Sequence, residues 1–242
     1  MSKNQFVGPE LGVDVWTAQF NQSRTVLAGC VAALCPSEIE RASRFATAEL
    51  RSQFAFNRGA LRYILSDYTH ESPERLKLDS GPYGKPLLRS QPFCFNVTHS
   101  GLLMVCAVSR TAPVGIDIEH IREMPDMFAI ANGHFAPGEC ERLRALPALY
   151  RTRGFFECWT RKEAFIKAVG KGLSIPLNSF DTFMPIGASG RELVTIEDAP
   201  DVPQWWLCDL QVPEGYAGAL VIEGLCPAIT LYDWNEYIAA SI

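Results

Sequence analysis

In Gly115-Ile116-Asp117-Ile118-Glu119, extended backbone sends Ile116 and Ile118 to one face and Asp117 and Glu119 to the other, with the two acidic Cα atoms about 6.6–7 Å apart. Carboxylates at that spacing can converge on one hard cation such as Mg²⁺. A strand with one solvated polar face gives the same pattern. A stronger signal lies in residues 154–169. Turned at ~100° per residue from Trp159, a helix there gathers Val169, Phe155, Ile166, Trp159 and Phe156 into one apolar arc. Lys162 (about 300°) and Glu163 (about 40°) fall inside that arc, Lys167 (about 80°) falls at its edge, and Glu157, Arg161, Ala164 and Ala168 fall on the far side. A carboxylate facing a core needs a metal, a ligand or a fixed cation, because an unpaired buried charge is costly. A structural Lys162–Glu163 pair, or a lysine snorkelling outward, answers the same need. Residues 151–172 hold six Arg or Lys against two Glu, a net of +4 in a chain whose total is −5. A basic helix facing an acidic strand suits magnesium with a diphosphate, since the metal takes carboxylates and phosphate oxygens take cations. Asn96-Val97-Thr98-His99-Ser100-Gly101 adds a hydroxyl and an imidazole at a strand end, both able to donate to phosphate oxygens; a histidine so placed is also an ordinary structural residue.

Several elements must position these groups. Pro36-Ser37-Glu38 marks a helix start with Ser37 as N-cap. After Thr47, the residues Leu50, Phe54, Leu61, Ile64, Leu65 and Tyr68 recur at helical spacing and predict a long amphipathic helix to about residue 69, carrying Arg51, Arg58 and Arg62. The glycines and prolines of Asp79-Ser80-Gly81-Pro82-Tyr83-Gly84-Lys85-Pro86 dictate a loop. Residues 93–97 and 102–108 read as strands joined by a turn at 98–101, and 114–121 as a third. Helices follow at 137–146 and 154–169, then strand-like runs near 180–184, 193–197, 204–211, 217–223 and 229–234. Helix-then-strands occurs twice. Element order alone therefore raises an internal duplication, with halves 1–112 and 113–242. One chain would supply both sides of a cleft, so a monomer is expected.

A chain of 242 residues, 48% apolar and 20% charged, excludes a disordered, collagenous or coiled-coil protein. Its acidic balance argues against a nucleic-acid or anionic-membrane binder. The eight cysteines, at 30, 35, 94, 106, 140, 158, 208 and 226, form no CxxC pair and no metal-finger spacing, and read as small hydrophobes in a reducing cytosol. Leu27-Ala28-Gly29-Cys30 looks like a lipoprotein cleavage box, but Asp14, Gln19, Asn21, Gln22 and Arg24 before it cannot form an apolar signal core. The longest apolar run, Val26 to Cys35, is ten residues, about half a membrane span. A soluble cytoplasmic protein is expected.

Gly115-Ile116-Asp117-Ile118-Glu119 together with Trp159-Thr160-Arg161-Lys162-Glu163-Ala164-Phe165-Ile166-Lys167-Ala168-Val169-Gly170-Lys171-Gly172-Leu173 resembles the 4′-phosphopantetheinyl transferase superfamily in its long, surfactin-synthetase-activating (Sfp) type. Tyr83-Gly84-Lys85-Pro86 and Phe95-Asn96-Val97-Thr98-His99-Ser100 extend the likeness over about residues 38–184 in the correct order. The resemblance implies an α/β (α+β) fold of two similar halves, each a long helix on a small, mainly antiparallel sheet, related by a pseudo-twofold. Coenzyme A elements would lie in 1–112 and metal and catalytic elements in 113–242. It implies transfer of the phosphopantetheine arm of coenzyme A to a serine of an apo acyl- or peptidyl-carrier protein of fatty-acid, polyketide, siderophore or peptide synthesis, releasing adenosine 3′,5′-bisphosphate. Asp117, Glu119 and Glu163 would hold Mg²⁺ or Mn²⁺, Glu163 would be the general base, Lys167 would stabilise the leaving phosphate, and Lys162 would assist. Thr98, His99 and Arg58 would join Lys162 and Lys167 on coenzyme A phosphates, and Lys85 and Pro86 would frame the adenine. Thr98 stands where the family commonly has serine and keeps the hydroxyl; Arg41 and Arg51 complete the early basic cluster. A metal-dependent phosphatase or nuclease could use the same carboxylates, yet has no use for the Gly-Lys-Pro loop, and a nuclease should be more basic. A non-catalytic binding module would be favoured by a missing carboxylate, and none is missing.

Overall fold

The computed structural model describes residues 12–20, 23–81, 86–88, 91–170, 175–182, 192–194, 204–224 and 227–239. The chain forms β1 (Gly12–Gln19), α1 (Arg24–Ala32), α2 (Pro36–Ser43), α3 (Ala48–Thr69), β2 (Leu78–Ser80), β3 (Pro86–Leu88), β4 (Cys94–Ser100), β5 (Leu103–Ser109) and β6 (Val114–His120). It continues with α4 (Met127–His134), α5 (Pro137–Ala145), α6 (Ala148–Val169), β7 (Glu192–Val194), β8 (Trp205–Asp209), β9 (Tyr216–Glu223), β10 (Ala228–Asp233) and α7 (Trp234–Ala239). These make an α/β protein with two four-stranded sheets, ordered β10-β1-β5-β4 and β6-β9-β8-β7, plus a small β2-β3 ribbon.

Strand alternation stacks the layers. In β1, Trp16 and Ala18 face a core built with Phe56, Ala60, Leu61, Ile64 and Leu65 of α3. Val13 and Val15 face the other way, meeting Ile116, Ile118, Leu220 and Ile222 of the second sheet. Beyond that sheet, Ala219 and Val221 pack on Ala164, Phe165 and Ala168 of α6. The order is α3, first sheet, second sheet, α6. Asp117 pairs in register with Ala219, so Asp117 and Glu119 turn their side chains toward α6.

Local signals account for the long helices. Thr47 caps α3 by accepting from the Leu50 amide at 3.2 Å, and His70 ends it in the left-handed region at φ 58°. Gly170, at φ +73°, ends α6.

Several expectations are corrected. The N-cap of α2 is Cys35, with Glu38 Oε2 accepting its backbone N–H at 3.0 Å, because Pro36 takes the first helical position where its missing donor is harmless. β4 runs on to Ser100, so Thr98 and His99 lie within the strand and not in a turn. α6 begins at Ala148, and from Gly154 onward it is buried on nearly every side. The side expected to face outward is closed: Arg161, 1% exposed, forks onto Asp209 at 2.7 and 2.6 Å, and Ala164 and Ala168 lie against β6. A wheel anchored on large apolar residues misses this because α6 packs on the second sheet along one side and on α4 and α5 along the other. Phe180 to Thr182 carry no strand, and 183–184 lie outside the described residues. The boundary at 112 does not divide the chain: β10 pairs parallel with β1, and Trp234 and Ile238 of α7 enter the α3 core, returning residues 228–239 to the first half.

Candidate active site

β6 and α6 bring the acidic strand and the charged helix together. Gly115 makes the approach possible, since a Cβ there would lie 2.0 Å from the Ala164 carbonyl oxygen and 2.3 Å from the Ala168 nitrogen. Asp117, 4% exposed, accepts on Oδ1 from the Thr98 hydroxyl at 3.0 Å and from Lys167 Nζ at 2.5 Å. Its Oδ2 is buried and has no hydrogen-bond partner among the described residues. Glu119 Oε2 accepts from the Ser100 hydroxyl at 2.9 Å, with Arg122 Nη1 at 3.7 Å. Glu163 faces them from α6. Burial, and then the neighbouring Asp117 charge, raises its carboxyl above the usual range, against the pull of Lys167, with Glu119 adding to the rise. Burial likewise raises Asp117 in spite of Lys167. Asp117 and Glu163 thus share one desolvated site with the Lys167 ammonium, and Glu119 lies half-buried beside them.

Those donors fit a hard divalent cation. Among the described residues no three metal-ligating side chains form a complete ligand set as they stand. Mg²⁺ does not require one, because it is held through one or two carboxylates with substrate phosphates and water completing the shell. The orphaned Asp117 Oδ2 is a buried oxygen with nothing to satisfy it, the condition that a cation relieves.

Not every expected residue reaches this place. Lys162 is 0% exposed and spends its donors on Glu139 Oε2 (2.6 Å) and the carbonyls of Leu177 (2.7 Å) and Phe180 (2.6 Å). Glu139 in turn accepts from the amides of Ala136 (2.8 Å) and Thr182 (2.7 Å). Lys162 therefore joins α6 to the start of α5 and the 177–182 segment, with no donor left for coenzyme A; only its neighbour at 163 faces the cleft. Thr98 is also displaced from its expected role. The pleat sends Thr98 toward Asp117 and His99 to the opposite face, so the two do not grip one ligand from the same side.

His99 lines a cavity of about 720 Å³ that also meets Arg41, Gln53, Phe54, Arg58 and Pro86. Partial burial, then the Lys167 ammonium, lowers the His99 pKa, so the imidazole is harder to protonate than a free one. Arg41 lies 5.4 Å over the Phe54 ring. Arg58 reaches the cavity while paired with Glu38, which also accepts from Arg62 Nε at 2.7 Å. Burial works against ionised Glu38, but hydrogen bonds from Arg62, the Cys35 amide and Arg58 override it and hold the carboxyl below its usual range. Lys85 lies outside the described residues. Glu38, Gln53, Ser100 and Glu139 escape a sequence reading; for Glu38 and Glu139 the available signal is an acid two residues after a helix-opening proline.

Fold and site together define an α/β enzyme with an acidic, partly desolvated cleft beside a cavity carrying Arg, Arg and His. The family model for the 4′-phosphopantetheinyl transferase superfamily matches residues 113–221. The chain is 34% identical over 216 residues to the 4′-phosphopantetheinyl transferase HetI of Nostoc sp. strain PCC 7120, covering 88% of each chain. It is 33% identical over 148 residues to the 4′-phosphopantetheinyl transferase Sfp of Bacillus subtilis strain 168, covering 61% of this chain and 65% of that one. It is 26% identical over 204 residues to the L-aminoadipate-semialdehyde dehydrogenase-phosphopantetheinyl transferase of Mus musculus, covering 77% and 66%. The chain belongs to the 4′-phosphopantetheinyl transferase superfamily. No helix among the described residues is long and apolar enough to cross a membrane.

Proposed function

We propose that this enzyme transfers the 4′-phosphopantetheine arm of coenzyme A to a serine of an apo acyl- or peptidyl-carrier protein, releasing adenosine 3′,5′-bisphosphate. The observation that carries the reading is the meeting of Asp117, Glu119 and Glu163 with Lys167 across β6 and α6, next to the cavity of His99, Arg41 and Arg58. The cavity takes the nucleotide end of coenzyme A, where the two guanidiniums and the imidazole donate to phosphate oxygens and Pro86 packs at the rim. Asp117, Glu119 and Glu163 would hold a divalent cation, Mg²⁺ or Mn²⁺, which would supply neutralisation of the diphosphate charge.

Glu163 is the general base. Burial and the neighbouring Asp117 charge raise its pKa, which makes it a stronger proton acceptor than an exposed glutamate. It takes the proton of the carrier serine as that oxygen bonds to the phosphorus bearing pantetheine. The bond from that phosphorus to the bridging oxygen breaks, and adenosine 3′,5′-bisphosphate leaves with the electron pair. Lys167 stabilises the charge that collects on the leaving phosphate. Arg58, held by Glu38, is a pre-set donor that needs little reordering when phosphate arrives.

The test is incubation with coenzyme A, Mg²⁺ and a panel of apo carrier proteins, read by the mass gained on a carrier serine. Asp117→Ala should fold and lose transfer. Turnover near wild type at limiting Mg²⁺ in that variant would remove the cation from Asp117.

A further inference from the structure

The two sheets meet along β4 and β6, and side chains make the joint. Asn96 Oδ1 accepts from the Ile116 amide at 2.8 Å, Thr98 donates to Asp117 Oδ1 at 3.0 Å, and Ser100 donates to Glu119 Oε2 at 2.9 Å. The Ser100 hydroxyl also accepts from the His120 amide at 3.0 Å. Alternation puts residues 96, 98 and 100 on one face of β4, so a row of three polar side chains zips the first half to the second. Each of the last two holds one oxygen of a carboxylate. Asp117 keeps Oδ2 buried and unpartnered, and the bond from Ser100 to Oε2 fixes the Glu119 carboxylate in one orientation.

The turn that carries Ser100 is itself clamped. Gly101 sits at φ +55°, and a Cβ there would lie 2.8 Å from the Tyr216 hydroxyl oxygen. That oxygen accepts from the Leu102 amide at 3.2 Å, and the Tyr216 ring meets the His120 ring edge-on at 5.0 Å. Gln53 of α3 donates to the Gly101 carbonyl from the other side. Both halves therefore fix the hydroxyl that grips Glu119.

We propose that Ser100 is a positioning residue: its hydroxyl pre-orients Glu119 for the divalent cation and ties cation affinity to the seam between the halves. The inference rests on the metal reading given above. A carboxylate already held in one orientation gives up less freedom when it ligates, and partners of this kind typically change metal affinity by about 10–100-fold.

The test is a Mn²⁺ titration of the full chain with saturating coenzyme A, free Mn²⁺ being read by electron paramagnetic resonance and a protein-free titration subtracted. Ser100→Ala should weaken Mn²⁺ binding by about tenfold or more. Ser100→Thr, which restores the hydroxyl, should return it to within about threefold of wild type. If Ser100→Ala fails to fold, Ser100→Cys, of similar size and with a weaker donor, must show the loss instead. A Ser100 that only braces the seam would lower the metal-free melting temperature and leave Mn²⁺ affinity unmoved; that result, with Asp117→Ala abolishing Mn²⁺ binding, overturns the proposal. A wild type that binds no Mn²⁺, or an Asp117→Ala protein that binds it as tightly as wild type, takes down the metal reading itself and this inference with it.

Discussion

At Glu163 the protein keeps a carboxyl where water is scarce and other carboxyls are near, and burial followed by Asp117 raises its pKa. A raised folded-state pKa means that folding favours the protonated acid. The associated stability is present below the unfolded value of about 4.3 and is lost as pH rises through the higher folded value. Glu163→Gln removes that loss. The metal-free variant should melt no lower than wild type at pH 7–8, and its relative stability should increase from pH 4 upward. Its kcat should fall by roughly 10²–10⁴-fold while coenzyme A binding changes far less, since the phosphate donors remain. A large metal-free destabilisation with normal single-turnover transfer would make Glu163 a structural ion-pair member. Lys162 should behave in the opposite way. Lys162→Met leaves Glu139 buried without its cation and should cost about 3–5 kcal/mol in urea unfolding, with the Lys162→Met/Glu139→Gln double variant recovering part of it. A Lys162→Met protein as stable as wild type yet inactive would return the lysine to the chemistry.

Close approach of backbones sets the geometry among elements. β6 can lie on α6 only because residue 115 has no Cβ and the helix offers Ala164 and Ala168 beneath it. Gly115→Ala must push the strand from the helix, at about 1–3 kcal/mol or more for overpacking, and it moves Asp117 away from Glu163. The expected result is a lower urea midpoint together with a higher Mg²⁺ concentration for half-maximal transfer. Gly133→Ala is the matched control: nothing lies within 4 Å of its added Cβ in α4, so it should gain roughly 0.5–1 kcal/mol from helix propensity and keep full activity. Unchanged stability in Gly115→Ala would mean that the strand–helix contact has slack.

Across the whole molecule, β10 and α7 carry the end of the described chain back onto the first sheet, and a shared core lies between the sheets. The halves should therefore unfold together. Urea transitions followed by tryptophan fluorescence and by far-ultraviolet circular dichroism should coincide, whereas two separated transitions would show that the seam is weak. Since one chain brings His99 and Arg58 from the first half to Asp117, Glu119 and Glu163 from the second, the active species should sediment as a monomer at micromolar concentration. Activity that vanishes on dilution of an obligate oligomer would contradict this.

Covalent geometry made part of this protein legible without any tertiary information. Strand alternation put Asp117 and Glu119 on one face and apart from Ile116 and Ile118, and helical spacing put Glu163 and Lys167 on neighbouring strips of one helix; both periodicities are properties of a single element. Apolar spacing and the Thr47 cap likewise made the long α3 legible from local signals. Packing decided which partner each charge takes. Lys162 and Lys167 share one helix and one chemistry, yet Lys162 is held by Glu139, 23 positions away, and Lys167 by Asp117, 50 positions away. It likewise decided that Thr98 and Ser100 serve the carboxylates, that Arg161 lies inside, and that residues 228–239 belong with the first half. These pairings arise when sheets and helices pack, and the energy of an ion depends on what surrounds it in space, which no local periodicity encodes.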